Sequence, residues 1–219
     1  MNKKILVAFI LLIFLSTYNF HKDLNIIFKL NIKEIVIENN QILKEERIKR
    51  ELAFIYERNL FFLKKIEVEE KLKKINFIDS YEIKKIYPNK IKVKIFEKKP
   101  IAIIQNKKEK KFYTNKGELI NFINKKEFDN LPLVFGDKES FKEFLYNLKA
   151  ANFPTNQIKT FYLFESKRWD LITEKDQIIK LPIKNYVQSL INFIKIKDDG
   201  NFEKYKIFDY RISDQLILK

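Results

Sequence analysis

The stretch Tyr87-Pro88-Asn89-Lys90-Ile91-Lys92-Val93-Lys94-Ile95-Phe96-Glu97-Lys98-Lys99-Pro100-Ile101-Ala102 carries the clearest periodicity in the chain. Ile91, Val93 and Ile95 alternate with Lys92, Lys94 and Phe96, the period of two that a half-buried strand requires, and Pro88-Asn89 reads as the turn leading into it. Upstream, residues 77–87 read as its hairpin partner. Before that lie two helical patterns: 43–56, where Ile48, Leu52 and Ile55 stand at i, i+4, i+7, and a shorter one where Val68, Leu72 and Ile75 repeat the spacing. Asn59-Leu60-Phe61-Phe62-Leu63 links them, and residues 32–37 form a short first strand. The order is βααββ over residues 32–104, with both helices expected on one face of a three-stranded sheet.

Downstream of Pro100 the chain passes through 101–104 into a hairpin whose turn is the basic run 106–111. Phe112-Tyr113, the turn Asn115-Lys116-Gly117-Glu118 and Leu119-Ile120 make another hairpin. A helix over about 140–151 presents Phe141, Phe144, Leu145 and Leu148 on one face, and strands follow at 158–164, 168–173 and 178–181. A second helix, 186–196, carries Val187, Leu190, Ile191 and Ile194, and strands 207–212 and 215–218 close the chain. Residues 105–219 are therefore expected to form an antiparallel sheet with two helices, an α+β domain.

At the other end, residues 5–15 are an unbroken apolar run behind Lys3 and Lys4, extended to Phe20 when Ser16, Thr17, Tyr18 and Asn19 are admitted. Sixteen helical residues cover about 24 Å, short of a hydrocarbon core of about 30 Å. Lys4 and Lys22 extend the reach by snorkelling. The cleavage site of a signal peptide calls for small residues, and Ser16-Thr17-Tyr18-Asn19-Phe20 is a poor match, so an uncleaved anchor is preferred. Ile5, Leu11, Leu15 and Phe20 are its candidate lipid-facing residues. The expected organisation is a cytoplasmic tail at 1–4, a transmembrane anchor at 5–20, a linker at 21–31, and the bulk of the chain outside the cytoplasm.

The 219 residues hold no cysteine, one histidine (His21) and three glycines, Gly117, Gly136 and Gly200. That composition excludes thiol chemistry, disulfides, cysteine-based zinc sites, a histidine-dependent triad in the body of the chain and any glycine-rich phosphate loop. The net charge of +15 comes from 39 Lys and only 5 Arg, a solvated lysine surface more than a nucleic-acid footprint, since base and phosphate recognition favours arginine. Acidic residues such as Glu45, Glu46 and Glu51 lie on charged helix faces, and Trp169 and the phenylalanine stripes stand at core spacings. Nothing points to catalysis, a cofactor, a metal or a small-molecule substrate.

Asn59-Leu60-Phe61, Leu72, Phe77-Ile78 and the opening stretch through Ala102 together resemble the POTRA domain of the FtsQ/DivIB family of bacterial cell-division proteins. Tyr113-Thr114-Asn115-Lys116-Gly117, Leu131 through Gly136, Arg168-Trp169-Asp170-Leu171, Ile179-Lys180-Leu181 and Phe208-Asp209-Tyr210-Arg211 are similar to successive landmarks of that family's β domain, in the same order. Two departures stand out. Glu38-Asn39-Asn40 replaces a glycine expected after the first strand, and no proline precedes Ile78. The resemblance implies a non-enzymatic, single-pass inner-membrane scaffold enriched at the division septum, its bulk in the periplasm. Its partners would be FtsB, FtsL and the FtsW/FtsI-type septal peptidoglycan synthases. It places FtsB on the last strand through Arg168, Arg211, Ile212, Gln215, Leu216, Ile217 and Leu218, and leaves a second candidate edge at Ile78, Tyr81 and Ile83. Two rival classes remain: a POTRA-bearing outer-membrane assembly or secretion protein, for which too few strand residues follow Ile104 to build a barrel, and a basic nucleic-acid-binding protein.

Overall fold

The computed structural model describes residues 3–16, 30–106, 109–197, 199–212 and 215–219. Its N-terminal helix, α1 (Lys3–Ser16), is apolar on every side and buries none of its residues, Ile5, Leu11 and Leu15 included. Among the described residues no helix is long and apolar enough to cross a membrane, and the remainder of the expected anchor, Phe20 included, lies outside them. From there the chain divides into two compact units, Met1–Glu97 and Lys98–Lys219.

The first unit has the expected βααββ order. Strand β1 (Glu34–Glu38) is followed by α2 (Glu45–Glu51), a 3-10 turn at Ala53–Ile55, α3 (Lys65–Lys73), β2 (Ile78–Ile86) and β3 (Lys90–Glu97). The sheet order is β1-β3-β2, with β1 parallel and β2 antiparallel to the central β3. Register sets Ile35 beside Ile91 and Ile37 beside Val93, so the apolar members of the alternating pattern share one face, and that face is buried. Ile48, Leu52, Ile55, Val68 and Leu72 from the helical segments are buried too. The helix expected over 43–56 is shorter because Leu52 leaves α geometry and the chain tightens into the 3-10 turn. Asn39 explains the missing glycine: it sits at φ +63°, in the left-handed region that asparagine tolerates, and its Nδ2 donates to the Ile95 carbonyl at 2.8 Å. Glu97 accepts the backbone N–H groups of Ile42 (2.8 Å) and Leu43 (2.7 Å), tying the loop after β1 to the end of β3.

The second unit is built on one nine-stranded sheet. In chain order it contains β4 (Pro100–Asn106), β5 (Glu109–Thr114), β6 (Leu119–Asn121), β7 (Leu133–Phe135), α4 (Lys138–Ala150), β8 (Ile158–Leu163), β9 (Trp169–Thr173), β10 (Ile178–Lys180), α5 (Tyr186–Ile196), β11 (Ile207–Asp209) and β12 (Ile217–Leu218). Residues 101–104, expected to finish the first domain, lie in β4, which pairs with β5 and β7 of this sheet. The sheet is also not purely antiparallel. β4 and β7, β7 and β8, and β10 and β11 run parallel: α4 and α5 are the crossovers for the last two pairs, and the β5–β6 segment with the 3-10 turn at Lys126–Phe128 is the crossover for the first. Asp137 caps α4 by accepting the Ser140 N–H at 2.8 Å, which starts that helix two residues ahead of the expected Ser140. Phe141, Phe144, Leu145 and Leu148 of α4 and Leu190 and Phe193 of α5 are buried with Val134, Phe161, Leu171, Ile179 and Phe208 of the sheet. Trp169 stacks on Phe144 at 4.6 Å. Gly136 leaves room for this packing, since a Cβ there would stand 3.0 Å from the Leu163 Cβ and 3.2 Å from the Trp169 ring.

Candidate partner-binding edge

In a sheet ordered β12-β11-β10-β9-β8-β7-β4-β5-β6, β12 is an outermost strand. Lys219 exchanges both backbone hydrogen bonds with Ile207, at 2.9 and 3.1 Å. Bonding alternates along an antiparallel pair, so the next residue back, Leu218, turns its N–H and C=O away from β11. The Leu218 side chain packs toward the core together with Leu216, while Ile217 stands beside Asp209 and Ile212 is exposed. The strands expected at 207–212 and 215–218 shorten to Ile207–Asp209 and Ile217–Leu218. They stop because Tyr210 turns into the core, its hydroxyl donating to Asn192 at 2.9 Å, and Arg211 folds back on Asp209. Burial pushes the Tyr210 phenol well above its ordinary range.

Register sets Asp170 of β9 and Asp209 of β11 on either side of Lys180 of β10. Each aspartate is gripped by the arginine two residues along its own chain. Arg168 donates from Nε to Asp170 at 3.1 Å and from Nη2 at 3.4 Å. Arg211 donates from Nε at 2.8 Å, from Nη2 at 2.7 Å and from its backbone N at 3.1 Å to Asp209. The structure thus sets Arg168 before β9 and Arg211 after β11, on strands separated by β10, and pairs both with their own aspartates. The Arg211 hydrogen bonds hold the Asp209 carboxyl below its ordinary value, whereas burial pushes Asp170 up against the opposing pull of Arg168. Among the described residues of this row, three cations stand with two anions across β9, β10 and β11, one formal positive charge in excess.

Among the described residues, the buried side chains of α4 and α5 pack with Phe161, Leu171, Ile179 and Phe208, which alternate with this row and so lie on the other face of the sheet. Continuing along the row's own face, Tyr162 sits beside Asp170 and Phe135 beside Tyr162, their rings stacked at 4.8 Å. Phe164 follows Tyr162 at 5.5 Å, and the Arg168 guanidinium lies 4.2 Å from the Phe164 ring centroid. The sequence reading missed Asp170, Lys180 and Asp209 as a cross-strand row and Phe135, Tyr162 and Phe164 as an aromatic strip. The signal was alternation: Lys180 between Ile179 and Leu181, and Tyr162 between Phe161 and Leu163.

The other candidate edge is β2, outermost beside β3. Ile78 is buried, and Tyr81 and Ile83 stand beside Ile95 and Val93 on the buried face, half-covered, so their side chains serve the core of the first unit. Among the described residues there is no group of three or more His, Asp or Glu side chains placed to hold a metal ion.

Two family models match the chain: the FtsQ-type POTRA domain over residues 30–98 and the C-terminal domain of cell division protein FtsQ/DivIB over residues 102–211. The cell division protein FtsQ of Rickettsia conorii is 27% identical over 203 residues, covering 90% of this chain and 74% of its own length. That of Rickettsia typhi is 26% identical over 185 residues, covering 82% and 69%, and that of Rhizobium radiobacter 25% identical over 122 residues, covering 55% and 58%.

Proposed function

Because the chain belongs to the FtsQ/DivIB family of cell-division proteins, we propose that it is a non-enzymatic scaffold of the division machinery, held in the inner membrane by its N-terminal segment, with its two folded units in the periplasm. In this reading it joins FtsB and FtsL to the FtsW/FtsI-type synthases of septal peptidoglycan, and it works by binding, without turnover. The anchor part is supported by α1, an apolar helix that buries nothing within its own chain.

The observation that carries the binding part is the free edge of β12. Leu218 offers one N–H and one C=O to an incoming strand, a geometry any extended segment could use, so selection has to come from side chains nearby. Across β9 to β11, Arg168, Lys180 and Arg211 outnumber Asp170 and Asp209, which favours an acidic partner segment on FtsB. Docking of a carboxylate would share guanidinium donors already held in place by the aspartates, so little side-chain ordering is needed on binding.

The test is capture of FtsB from solubilised membranes by the full chain and by a chain ending at Asp214. Full-length protein should retain FtsB and the shortened one should lose it, with the near-UV signal of Trp169 unchanged. Equal capture by both would move the site off β12. Arg211→Gln, which keeps hydrogen-bonding capacity and removes the charge, should weaken capture about tenfold, the cost of one charge-assisted contact.

A further inference from the structure

Phe61 and Phe62 are 62% and 65% exposed, and their rings meet edge to face at 5.3 Å. They do not belong to a loose segment. Leu60 and Leu63 on either side are buried, the Phe61 N–H donates to Asn59 Oδ1 at 2.9 Å, the Leu63 N–H to the Asn59 carbonyl at 3.1 Å, and Lys85 Nζ to the Phe61 carbonyl at 3.1 Å. A structured loop therefore holds two large apolar rings in solvent, an arrangement that marks an interaction surface.

Its place in the first unit says what covers it. The chain enters that unit against this loop: the Leu60 N–H donates to the Leu30 carbonyl at 2.8 Å and the Ile32 N–H to the Arg58 carbonyl at 2.9 Å. The 87–89 turn joins the same end, with the Lys33 N–H on the Asn89 carbonyl at 2.9 Å and Tyr87 exposed. Only 13 residues separate Leu30 from the apolar helix α1, a covalent reach of about 45 Å at most. Lys64 follows the loop in the chain, Lys85 bonds to it at Phe61, and Lys33 comes one residue after Ile32, which bonds to Arg58; among the described residues none of the three forms an ion pair. Of the acids nearby, Glu34 is paired with Lys90 and Glu67 with Arg58, which leaves Glu57 exposed. Exposed aromatic rings with lysines close by, a short tether away from an apolar helix, match the chemistry of the lipid interface, where rings enter the headgroup boundary and ammonium groups meet phosphates. α1 itself covers about 21 Å, so apolar contact just outside it would add to a short anchor.

We propose that loop 59–62 is a membrane foot. Phe61 and Phe62 enter the outer headgroup region of an anionic bilayer, Lys33, Lys64 and Lys85 contact lipid phosphates, and the first unit is thereby held against the surface. This rests on the anchor reading above.

The chain has no cysteine, so one label can be placed cleanly. Full-length protein carrying Phe62→Cys, with Phe61 retained, is labelled with an environment-sensitive fluorophore and reconstituted into vesicles of phosphatidylcholine and phosphatidylglycerol at about 7:3. A matched sample carries the label at Tyr146→Cys, an exposed position of the second unit. The expected result is blue-shifted emission at position 62, quenched by headgroup-proximal nitroxide lipid, with water-like emission at position 146. Adding Phe61→Ser, Lys64→Glu and Lys85→Glu should return the position-62 label to water-like emission. A chain that floats with the vesicles while the position-62 label stays in water overturns the foot alone. Failure to float overturns the anchor reading and the foot with it. A blue shift absent from pure lipid but gained with native membrane extract identifies a protein partner and also overturns the proposal.

Discussion

β2 and β12 are both outermost strands, yet they differ in almost every feature that governs strand addition. β2 runs nine residues, has a bulge between Ile78 and Ser80, and sends Glu82 and Lys84 to one face while Tyr81 and Ile83 serve the core on the other. A bulge and charged side chains are the usual means of keeping a long edge from pairing with foreign strands. β12 is two residues long, without charge of its own, and lies beside a row of three cations and two anions. The difference teaches that edge length alone does not decide which edge is open to pairing. The long edge is defended, and the short one is flanked by groups able to select a partner.

The largest effect that separates the two edges is cross-linking to the partner. Single cysteines at Ser80 and Glu82 on β2, and at Gln215 and Ile217 by β12, should give FtsB adducts only for the second pair. Strong adducts at Ser80 would reverse the assignment. Leu218→Pro is the matching functional lesion: it removes an outward N–H without touching the bonds between Lys219 and Ile207, and should lower capture more than tenfold.

Below that comes the packing beneath the first sheet. Val93 is fully buried in the central strand, so Val93→Ala should cost about 1 to 3 kcal/mol of unfolding free energy in the first unit. Hydrogen exchange of β3 amides reads that loss. The fluorescence midpoint of Trp169, the one tryptophan, follows the second unit and should stay put, as should FtsB capture. A change below about 0.5 kcal/mol would contradict the buried-face assignment. A subtler probe of the same unit is Asn39→Ala, which loses both tolerance of φ +63° and the bond to Ile95. It should destabilise by about 1 kcal/mol more than Asn39→Gly, in which the backbone conformation is free.

What the sequence made legible follows from how local each signal is. The alternation of Ile91, Val93 and Ile95 and the i, i+4, i+7 spacing of Ile48, Leu52 and Ile55 are carried by neighbours in the chain, and they identify face as well as element. Strand direction is not local. The second sheet reads as antiparallel in one dimension because nothing in Leu133-Val134-Phe135 says that α4 will return the chain beside it in parallel. Domain assignment of residues 101–104 fails for the same reason, since β4 finds its partners in β5 and in the distant β7. At the candidate site, Arg168 and Arg211 stand out as two of five arginines, but the row they complete exists only once Lys180 is set between Asp170 and Asp209 by three separate strands.

The smallest effect is electrostatic, and it tests that row directly. Arg211 holds the Asp209 carboxyl below its ordinary value through hydrogen bonds, so Asp209 contributes stability that is present above the unfolded carboxylate range, near pH 4, and is lost as pH falls through its lower folded value. Asp170 runs the other way. Burial raises its folded value above the unfolded one, so on acidification the folded state takes up this proton first, and stability rises slightly across that interval. A carboxyl-carbon NMR titration should therefore show Asp170 protonating before Asp209, although the two sit symmetrically about Lys180. Arg211→Gln should move Asp209 up toward its ordinary range while leaving Asp170 ahead of it, because burial, the larger influence on Asp170, is untouched. If Asp209 titrates first in the unaltered chain, the tight Arg211 grip is absent in solution. The edge beside β12 would then present a free guanidinium in place of one already shared with Asp209.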